Sequence, residues 1–267
     1  MTGALGADLY NCDPTTDVAF IQHALAQFGV VTLRGVDLSP GEHIALATAF
    51  GAIDINRFFT PHPDHPEIAL VIKEPHQQSA IGEGWHTDHS YDLEPALGSL
   101  LLAKEVPEVG GDTVFVSMAA AWEALPSTLQ TQLLTCYAWH ETEHVFGASA
   151  LNDTDQNRFQ NADAATQKSR HPVAIKHPLS GRTCLYVNPV FTTGIDGLPE
   201  AESTALLEHL YAHCADPTYH CRVRWQAGDL TIWDNRATWH KAINDYDGQR
   251  REMHRITVAG CALESAA

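Results

Sequence analysis

Two histidines and an aspartate have the residue types and the spacing of a metal site. His86 and Asp88 stand two apart in the run Trp85-His86-Thr87-Asp88, and positions two apart in an extended segment point to the same face. His240, far along the chain, would supply a third ligand. Two imidazoles and one carboxylate leave coordination positions open, which suits an Fe(II) ion that must also bind a substrate and O2. We therefore predict an iron site at His86, Asp88 and His240.

Two arginines near the C-terminus indicate where anions would bind. If residues 250–258 form a strand, Arg251 and Arg255 lie on the same face as Met253 and Thr257. Two guanidinium groups on an inward face need anionic partners, because an unpaired buried charge is costly. The forked guanidinium of Arg251 could hold one carboxylate, and Arg255 the acidic group of a second molecule. Structural salt bridges to the many carboxylates of the chain are the alternative.

Longer stretches around these residues resemble one family. They are Trp85 to Asp88, Val106-Pro107, Gly110 to Thr113, Phe146, residues 185–193, Cys221 to Trp225, Trp233 to Arg236, His240, Asp245-Tyr246, Arg251 and Arg255. This set is similar to the taurine dioxygenase family of Fe(II)/2-oxoglutarate enzymes, over nearly the whole chain. Residues 145–147, 185–188 and 221–225 also resemble the aryloxyalkanoate dioxygenases of the same superfamily.

The resemblance implies a fold, a reaction and a set of roles. His86, Asp88 and His240 would bind iron, Thr113 and Arg251 would hold the far carboxylate of 2-oxoglutarate, and Arg255 would face the anionic group of the substrate. Of the three coordination positions left open, 2-oxoglutarate would take two and O2 the last. The expected reaction is hydroxylation or oxidative cleavage of a small organic anion (a sulfonate, a sulfate ester or an aryloxyalkanoate), with release of succinate and CO2.

The similarity breaks in the predicted substrate pocket. Where taurine-cleaving members have a His and a Tyr, this chain has Asn56 and Phe59, and Gly82 stands where they have an Asn. Aromatic side chains at Tyr91, Phe146 and Phe191 favour an apolar substrate body between iron and Arg255, although ordinary core packing is the alternative for each of them.

Composition limits the class of protein. The 267 residues suit one domain, here 1–267, and 33 acidic against 16 basic residues give a formal charge of −17, which disfavours nucleic acid and anionic membranes as partners. No segment resembles a signal peptide or a membrane span, so we expect a cytoplasmic protein. The sequence is compatible with a homo-oligomer. Six scattered cysteines without Cys-x-x-Cys spacing indicate reduced thiols.

Periodicity predicts a mainly β chain with flanking helices. Helical spacing covers residues 17–28, 41–50 and 199–213 and two pieces of 117–134, with start signals at Ser39-Pro40, Ser117, Pro126 and Pro199. A short strand is predicted at 30–33 between the first two helices. Eight further strands, at 68–72, 99–103, 113–116, 173–176, 183–187, 221–225, 230–233 and 256–259, suit a double-stranded β-helix, or jelly roll.

Two irregular segments are predicted to close over the mouth of the jelly roll. Residues 53–66 contain the turn-rich run Thr60 to Asp64, and residues 148–170 are long, polar and without apolar periodicity. Long irregular loops in a compact domain are usually functional lids or disordered. We favour lids.

Two other functions use the same residues. A jelly-roll protein could bind a metal or an anion without turnover, but it would not need Thr113 together with Arg251. A zinc hydrolase could use the same three ligands to activate water, but no additional general base is evident near the motif.

Overall fold

The computed structural model of the protein describes residues 5–148, 150 and 158–267. Within them the α-helices are α1 (Val18–Phe28), α2 (Pro40–Phe50), α3 (Met118–Glu123), α4 (Ser127–Leu133), α5 (Glu143–Phe146) and α6 (Glu200–Cys214), with 3-10 turns at Ala162–Ala164 and Pro217–Tyr219. The strands are β1 (Ala7–Leu9), β2 (Val30–Leu33), β3 (Ile53–Asp54), β4 (Pro61–His62), β5 (His65–Lys73), β6 (Gly98–Glu105), β7 (Thr113–Ser117), β8 (Tyr137–Glu141), β9 (Lys168–Pro172), β10 (Ala174–Lys176), β11 (Thr183–Leu185), β12 (Thr192–Ile195), β13 (His220–Val223), β14 (Leu230–Asp234), β15 (Thr238–Ala242) and β16 (Arg251–Val258).

The predicted helices form where their start signals stand. Ser39 caps α2 with a capping box, because its side chain accepts from the backbone N–H of Glu42 while the Glu42 carboxylate accepts from that of Ser39. Ser117 caps α3 by accepting from Ala120 N–H at 3.2 Å. α1 ends at Gly29, whose φ of 67° is a left-handed conformation that glycine adopts without strain. The predicted helices are confirmed to within a few residues.

One large sheet and one smaller sheet enclose the interior. The large sheet runs in the order β1-β2-β14-β6-β16-β5-β4, with β3 paired to β16, and the smaller one in the order β13-β7-β15. Both sheets supply side chains to one cavity, for example Leu101 on β6 and His240 on β15, so the cavity lies between them. This is the predicted jelly-roll architecture.

Helices α1 and α2 cover the outer face of the large sheet. Ile21 and Leu25 of α1 and Leu46 of α2 pack on one apolar cluster with Leu100 and Ile256. Neighbouring residues on the same strands, such as Leu101 and Arg255, line the cavity on the other face. Alternation along β6 and β16 therefore separates an apolar outer face, covered by helices, from an inner face that carries the functional groups.

Several strands were not predicted. β8, β9, β12 and β15 are short and carry His, Lys, Arg or Gly within them, so they lack the branched apolar run that signals a strand. The first three residues of β9 fall within the predicted lid 148–170, which is therefore a loop only in part, while residues 149 and 151–157 of that segment lie outside the described residues. The predicted lid 53–66 holds two two-residue strands, β3 and β4, and the start of β5.

Two smaller expectations can be checked directly. All six cysteines lie in the described residues and are free. No helix in the described part of the chain is long and apolar enough to cross a bilayer.

Candidate active site

A backbone bridge brings the two predicted ligand histidines together. His86 N–H donates to His240 C=O at 3.1 Å, and His240 N–H donates to His86 C=O at 2.9 Å. His240 is held in turn by β15, which pairs with β7 so that His240 lies opposite Phe115. The two imidazole rings end with their centroids 4.1 Å apart. Sheet pairing thus joins two residues that are more than 150 positions apart in the chain.

Asp88 completes a compact group of donor atoms. Its Oδ1 lies 3.7 Å from His86 Nε2, and its Oδ2 lies 3.7 Å from His240 Nε2. The three side chains are buried, and one donor atom from each lies within 4.8 Å of the other two. His86 Nδ1 donates to the Gly84 carbonyl at 2.8 Å, which leaves the lone pair of Nε2 directed at the group. Such an arrangement can accept one metal ion.

The electrostatics of the group also fit a cation. Burial, followed by the neighbouring His86, lowers the pKa of His240 to about 3, so its ring is neutral at pH 7. Burial opposes ionisation of Asp88, but Arg255 and the two histidines hold the pKa of its carboxyl below the ordinary value. Neutral imidazoles with one carboxylate are the donors that a divalent transition metal prefers.

A second group of potential ligands, in the described residues, has a different explanation. His89 Nδ1 lies 3.0 Å from Asp54 Oδ2 and 3.2 Å from Asp92 Oδ2. Both carboxylates therefore use the same ring nitrogen, and a nitrogen that donates its hydrogen to them has no lone pair for a metal. We interpret this group as an ion-paired cluster.

The metal-type donors open onto a cavity of about 230 Å³. Every side chain with a predicted site role lines it: His86, Asp88, His240, Thr113, Arg251, Arg255, Asn56, Phe59, Tyr91, Phe146 and Phe191. Arg251 and Arg255 are four residues apart on β16, which separates their Cα atoms by about 13 Å along the strand. The predicted residues are thus brought together around one space, with the two arginines at different places along it.

Arg251 is a buried cation without an anion. It is 5% exposed, and no carboxylate of the described residues lies within ion-pair distance of it. Its Nε has no hydrogen-bond partner, and burial lowers its pKa. Thr113 lines the same cavity, and its Oγ1 accepts from Trp225 Nε1 at 3.0 Å. Because that hydroxyl already accepts a hydrogen bond, its own hydrogen is available for a carboxylate.

Arg255, unlike Arg251, has a carboxylate partner within the protein. Its Nη1 donates to Asp88 Oδ1 at 3.2 Å, and its guanidinium carbon lies 4.5 Å from the centre of the Phe59 ring. Asp88 is thus a counter-ion of Arg255, and the role of Arg255 toward an external anion stays a prediction. The salt-bridge alternative applies to this residue, although Arg255 still lines the cavity.

Aromatic rings form the apolar wall beside Arg255. Phe58 stacks on Phe146 at 4.5 Å between ring centres, and Tyr91 meets Phe191 edge to face at 4.9 Å. Phe59, also in this cluster, meets Phe159 at 5.2 Å. Phe159 was not predicted, because it belongs to the segment interpreted from the sequence only as a polar loop. Backbone pairing between 158–160 and 58–59 closes this wall.

His89 is a second residue that sequence reasoning missed. It lines the cavity at a φ of 57°, in the left-handed region that few side chains adopt, and its Nε2 lies 3.4 Å from Asn56 Nδ2. Burial opposes a charge on His89, but hydrogen bonds from its ring to Asp54 and Asp92 raise its pKa. Its positions directly after Asp88 and three residues before Asp92 were the only local signals, because its other partner, Asp54, lies on a distant segment.

Comparison with known proteins decides the family. The sequence matches the model of the taurine catabolism dioxygenase TauD, TfdA family over residues 2–257. The chain belongs to this family. The resemblance drawn from the sequence is therefore confirmed.

Relatives in the TauD/TfdA family carry several substrate names. An alkylsulfatase of Acinetobacter baylyi is 31% identical over 97% of this chain and 84% of that protein. An alpha-ketoglutarate-dependent 2,4-dichlorophenoxyacetate dioxygenase of Cupriavidus pinatubonensis is 31% identical over 98% of this chain and 95% of that protein. The crystal structure of a taurine dioxygenase from Burkholderia xenovorans superposes with a TM-score of 0.83 at 30% identity, over 99% of this chain and 91% of that one. The reaction class is thus a 2-oxoglutarate (alpha-ketoglutarate)-dependent dioxygenase, and the jelly-roll fold is confirmed.

Proposed function

We propose that the protein is a mononuclear Fe(II) dioxygenase in which His86, Asp88 and His240 hold the metal. One observation carries the proposal: a buried group of two imidazoles and one carboxylate opens onto the same cavity as Arg251, a buried cation with no counter-ion in the described residues. With 2-oxoglutarate and O2, the iron would supply oxidative decarboxylation to succinate and CO2 and the oxidation of a substrate C–H bond.

Arg251 and Thr113 would bind and orient the co-substrate. The guanidinium can hold a carboxylate through two parallel hydrogen bonds, and the Thr113 hydroxyl can donate a third. Trp225 fixes that hydroxyl by donating to its oxygen. An anion bound there removes the cost of the unpaired buried charge, which gives the site affinity for a dicarboxylate that also reaches the metal group.

The substrate would be a small organic anion with an apolar body. Relatives are named as an alkylsulfatase, a 2,4-dichlorophenoxyacetate dioxygenase and a taurine dioxygenase, and the cavity of this chain is walled by aromatic rings beside Arg255. Asn56, Phe59, Tyr91, Phe146 and Phe191 would contact that body. Hydroxylation of the carbon next to a sulfonate, sulfate ester or ether oxygen gives an unstable product that would collapse to a carbonyl compound, releasing sulfite, sulfate or an alcohol.

We also propose that residues 1–267 form one domain, because both sheets contribute side chains to the same cavity. A non-catalytic binding protein would leave the juxtaposition of Arg251, Thr113 and the metal-type group without a purpose. A zinc hydrolase would need a general base beside the metal, and Asp88, the carboxylate in the group, is itself a ligand candidate.

Succinate release tests the proposal. The purified protein is stripped of metal with a chelator and then supplied with Fe(II) or Zn(II). Succinate formation from 2-oxoglutarate is measured over a panel of sulfonates, sulfate esters and aryloxyalkanoates. Turnover that requires Fe(II) and is stimulated by at least one class of substrate is the expected result. Equal turnover with Zn(II), or release of product without consumption of 2-oxoglutarate, would contradict the proposal.

A further inference from the structure

A second buried cation stands next to the proposed co-substrate site. Lys73 is the last residue of β5 and only 2% exposed. Its Nζ has no hydrogen-bond partner and, among the residues the structure describes, no carboxylate within ion-pair distance. Its Nζ lies over the ring of Tyr246, 4.4 Å from the ring centre. A lysine buried in this way is costly unless something compensates its charge.

The sheet places this lysine directly opposite Arg251. In the antiparallel pair of β16 and β5, Arg251 is the register partner of Lys73. Residues directly opposite on neighbouring strands point to the same face with their Cβ atoms about 5 Å apart, and like charges in that position are destabilising. The two cations therefore share one face of the sheet, and both are without a counter-ion in the described residues.

Tyr246 separates Lys73 from solvent. The tyrosine is 2% exposed, and its ring covers the ammonium. The charge of Arg251 acts on the same tyrosine, where it opposes the rise in pKa that burial causes. Lys73 is not among the residues that line the cavity, so its ammonium would act on an anion beside Arg251 without touching it.

We propose that Lys73 is a positioning residue for 2-oxoglutarate. Its charge acts through a dry, low-dielectric region and adds to the positive potential at Arg251, and its contact with Tyr246 holds that ring beside the arginine. The far carboxylate of the bound co-substrate would then compensate two buried charges instead of one. This inference rests on the proposed function, since it takes Arg251 as the residue that binds the co-substrate.

A set of lysine variants tests the proposal. Lys73→Met keeps much of the side-chain volume without the charge, and Lys73→Arg restores a charge. Lys168→Met is the matched control, because Lys168 also lies over an aromatic ring, 5.1 Å from the centre of Trp139, but is half-exposed and paired with Glu141. For each variant the affinity for 2-oxoglutarate is measured by calorimetry on Mn(II)-loaded protein, and the melting temperature is measured without ligand.

The expected pattern separates a charge that serves the anion from one that serves the fold. Lys73→Met should weaken 2-oxoglutarate binding roughly tenfold. Its ligand-free melting temperature should be unchanged or higher, because replacing an uncompensated buried charge by an apolar group is often stabilising. Lys73→Arg should recover most of the affinity, and Lys168→Met should keep all of it. The KM for the prime substrate should not change in any of them.

Two outcomes would overturn the inference. One is unchanged 2-oxoglutarate affinity in Lys73→Met. The other is a lowered melting temperature, with the lost affinity restored by stabilising osmolyte, which would make Lys73 a structural residue. If Lys73→Arg alone fails to fold, Lys73→Gln replaces it as a neutral polar variant that should weaken binding like Lys73→Met. A separate Arg251→Ala measurement distinguishes the two proposals, since unchanged affinity there would remove the proposed co-substrate site itself.

Discussion

The two arginines of β16 stand in opposite electrostatic situations. Arg251 and its neighbour Lys73 are buried cations without counter-ions in the described part of the chain, whereas Arg255 is paired with Asp88. The co-substrate half of the cavity, defined by Thr113, Trp225 and Arg251, thus has charge to offer an anion. The substrate half, defined by Arg255 and the aromatic cluster, has its charges largely satisfied.

The two halves of the cavity also differ in secondary structure. The co-substrate half is built on β7 and β16, which fix side chains by register. The substrate half is built mainly on loops, where Asn56, Tyr91 and Phe191 stand. Further ion pairs stabilise those loops, including Arg57 with Asp92 and His89 with both Asp54 and Asp92. The comparison indicates that charge selects the co-substrate, while shape and apolar contact select the substrate.

Removing the carboxylate of the metal group should have the largest effect, because both halves depend on it. Asp88→Ala removes the carboxylate from the group, leaves two imidazoles and takes away the counter-ion of Arg255. We expect Fe(II)-dependent turnover to fall below detection and Fe(II) affinity, measured by calorimetry, to be lost. Asp247→Ala, at an exposed aspartate, is the control. Full activity of the Asp88 variant with 2-oxoglutarate would rule out the iron site.

Arg251→Ala should affect the co-substrate half alone. Losing a charge-assisted contact with a desolvated carboxylate costs on the order of 2 to 5 kcal/mol, so the KM for 2-oxoglutarate should rise by about thirtyfold or more. The KM for the prime substrate should change far less. Arg250→Ala is a close control, because Arg250 precedes Arg251 but pairs with Glu74, Glu105 and Glu252. If 2-oxoglutarate dependence is the same in both variants, Arg251 has a structural role.

A comparison of taurine with apolar anions tests the substrate half of the cavity. Taurine carries an ammonium group, whereas the side chains of the aromatic wall are uncharged and Asp88 is already paired with Arg255. Burying a charged group without a partner costs several kcal/mol, so an apolar sulfonate, sulfate ester or aryloxy acid of similar length should be turned over at least tenfold more efficiently, measured as kcat/KM. A clear preference for taurine would show that the wall formed by Phe59, Phe146 and Phe191 has been misinterpreted.

The same division explains what the sequence could predict. The alternation along β16 was sufficient to place Arg251 and Arg255 on one face, and a motif identified His240 even though its strand was not predicted. Sequence spacing did not predict the partners of these residues. The pairing of Arg255 with Asp88 joins residues 167 positions apart, and Lys73 faces Arg251 only because β5 pairs with β16 in that register. Such contacts depend on tertiary structure and leave no local pattern.

The loops of the substrate half were the least predictable. His89 owes its position to a left-handed turn, to Asp92 three residues later and to Asp54 on a separate segment. Phe159 reaches the cavity because its backbone pairs with Phe59, in a segment whose composition indicated only a polar loop. Phe146 and Phe191 were predicted within stretches that resemble the family, and periodicity alone would have assigned them to the core.

The smallest expected effect is that of Arg255→Ala, and it tests the comparison most closely. Because the guanidinium already has Asp88 as a partner, only part of its charge is available to a substrate anion. We expect the KM for anionic substrates to rise about tenfold, less than the effect of Arg251→Ala on 2-oxoglutarate. Uncoupled decay of 2-oxoglutarate, followed as succinate without prime product, should persist, since the co-substrate half is intact.

Neutral analogues decide between the two roles that remain for Arg255. If it binds the substrate anion, a neutral analogue of the same shape should lose little in the Arg255→Ala variant, and Arg255→Lys should recover part of the affinity for the anion. If it serves only to position Asp88, Fe(II) affinity should fall and anionic and neutral substrates should lose turnover equally. Arg224→Ala, at an exposed arginine, controls for a change in net charge. Equal losses of turnover would mean that Arg255 does not bind the substrate anion. They would support the idea that shape, and not charge, selects the substrate.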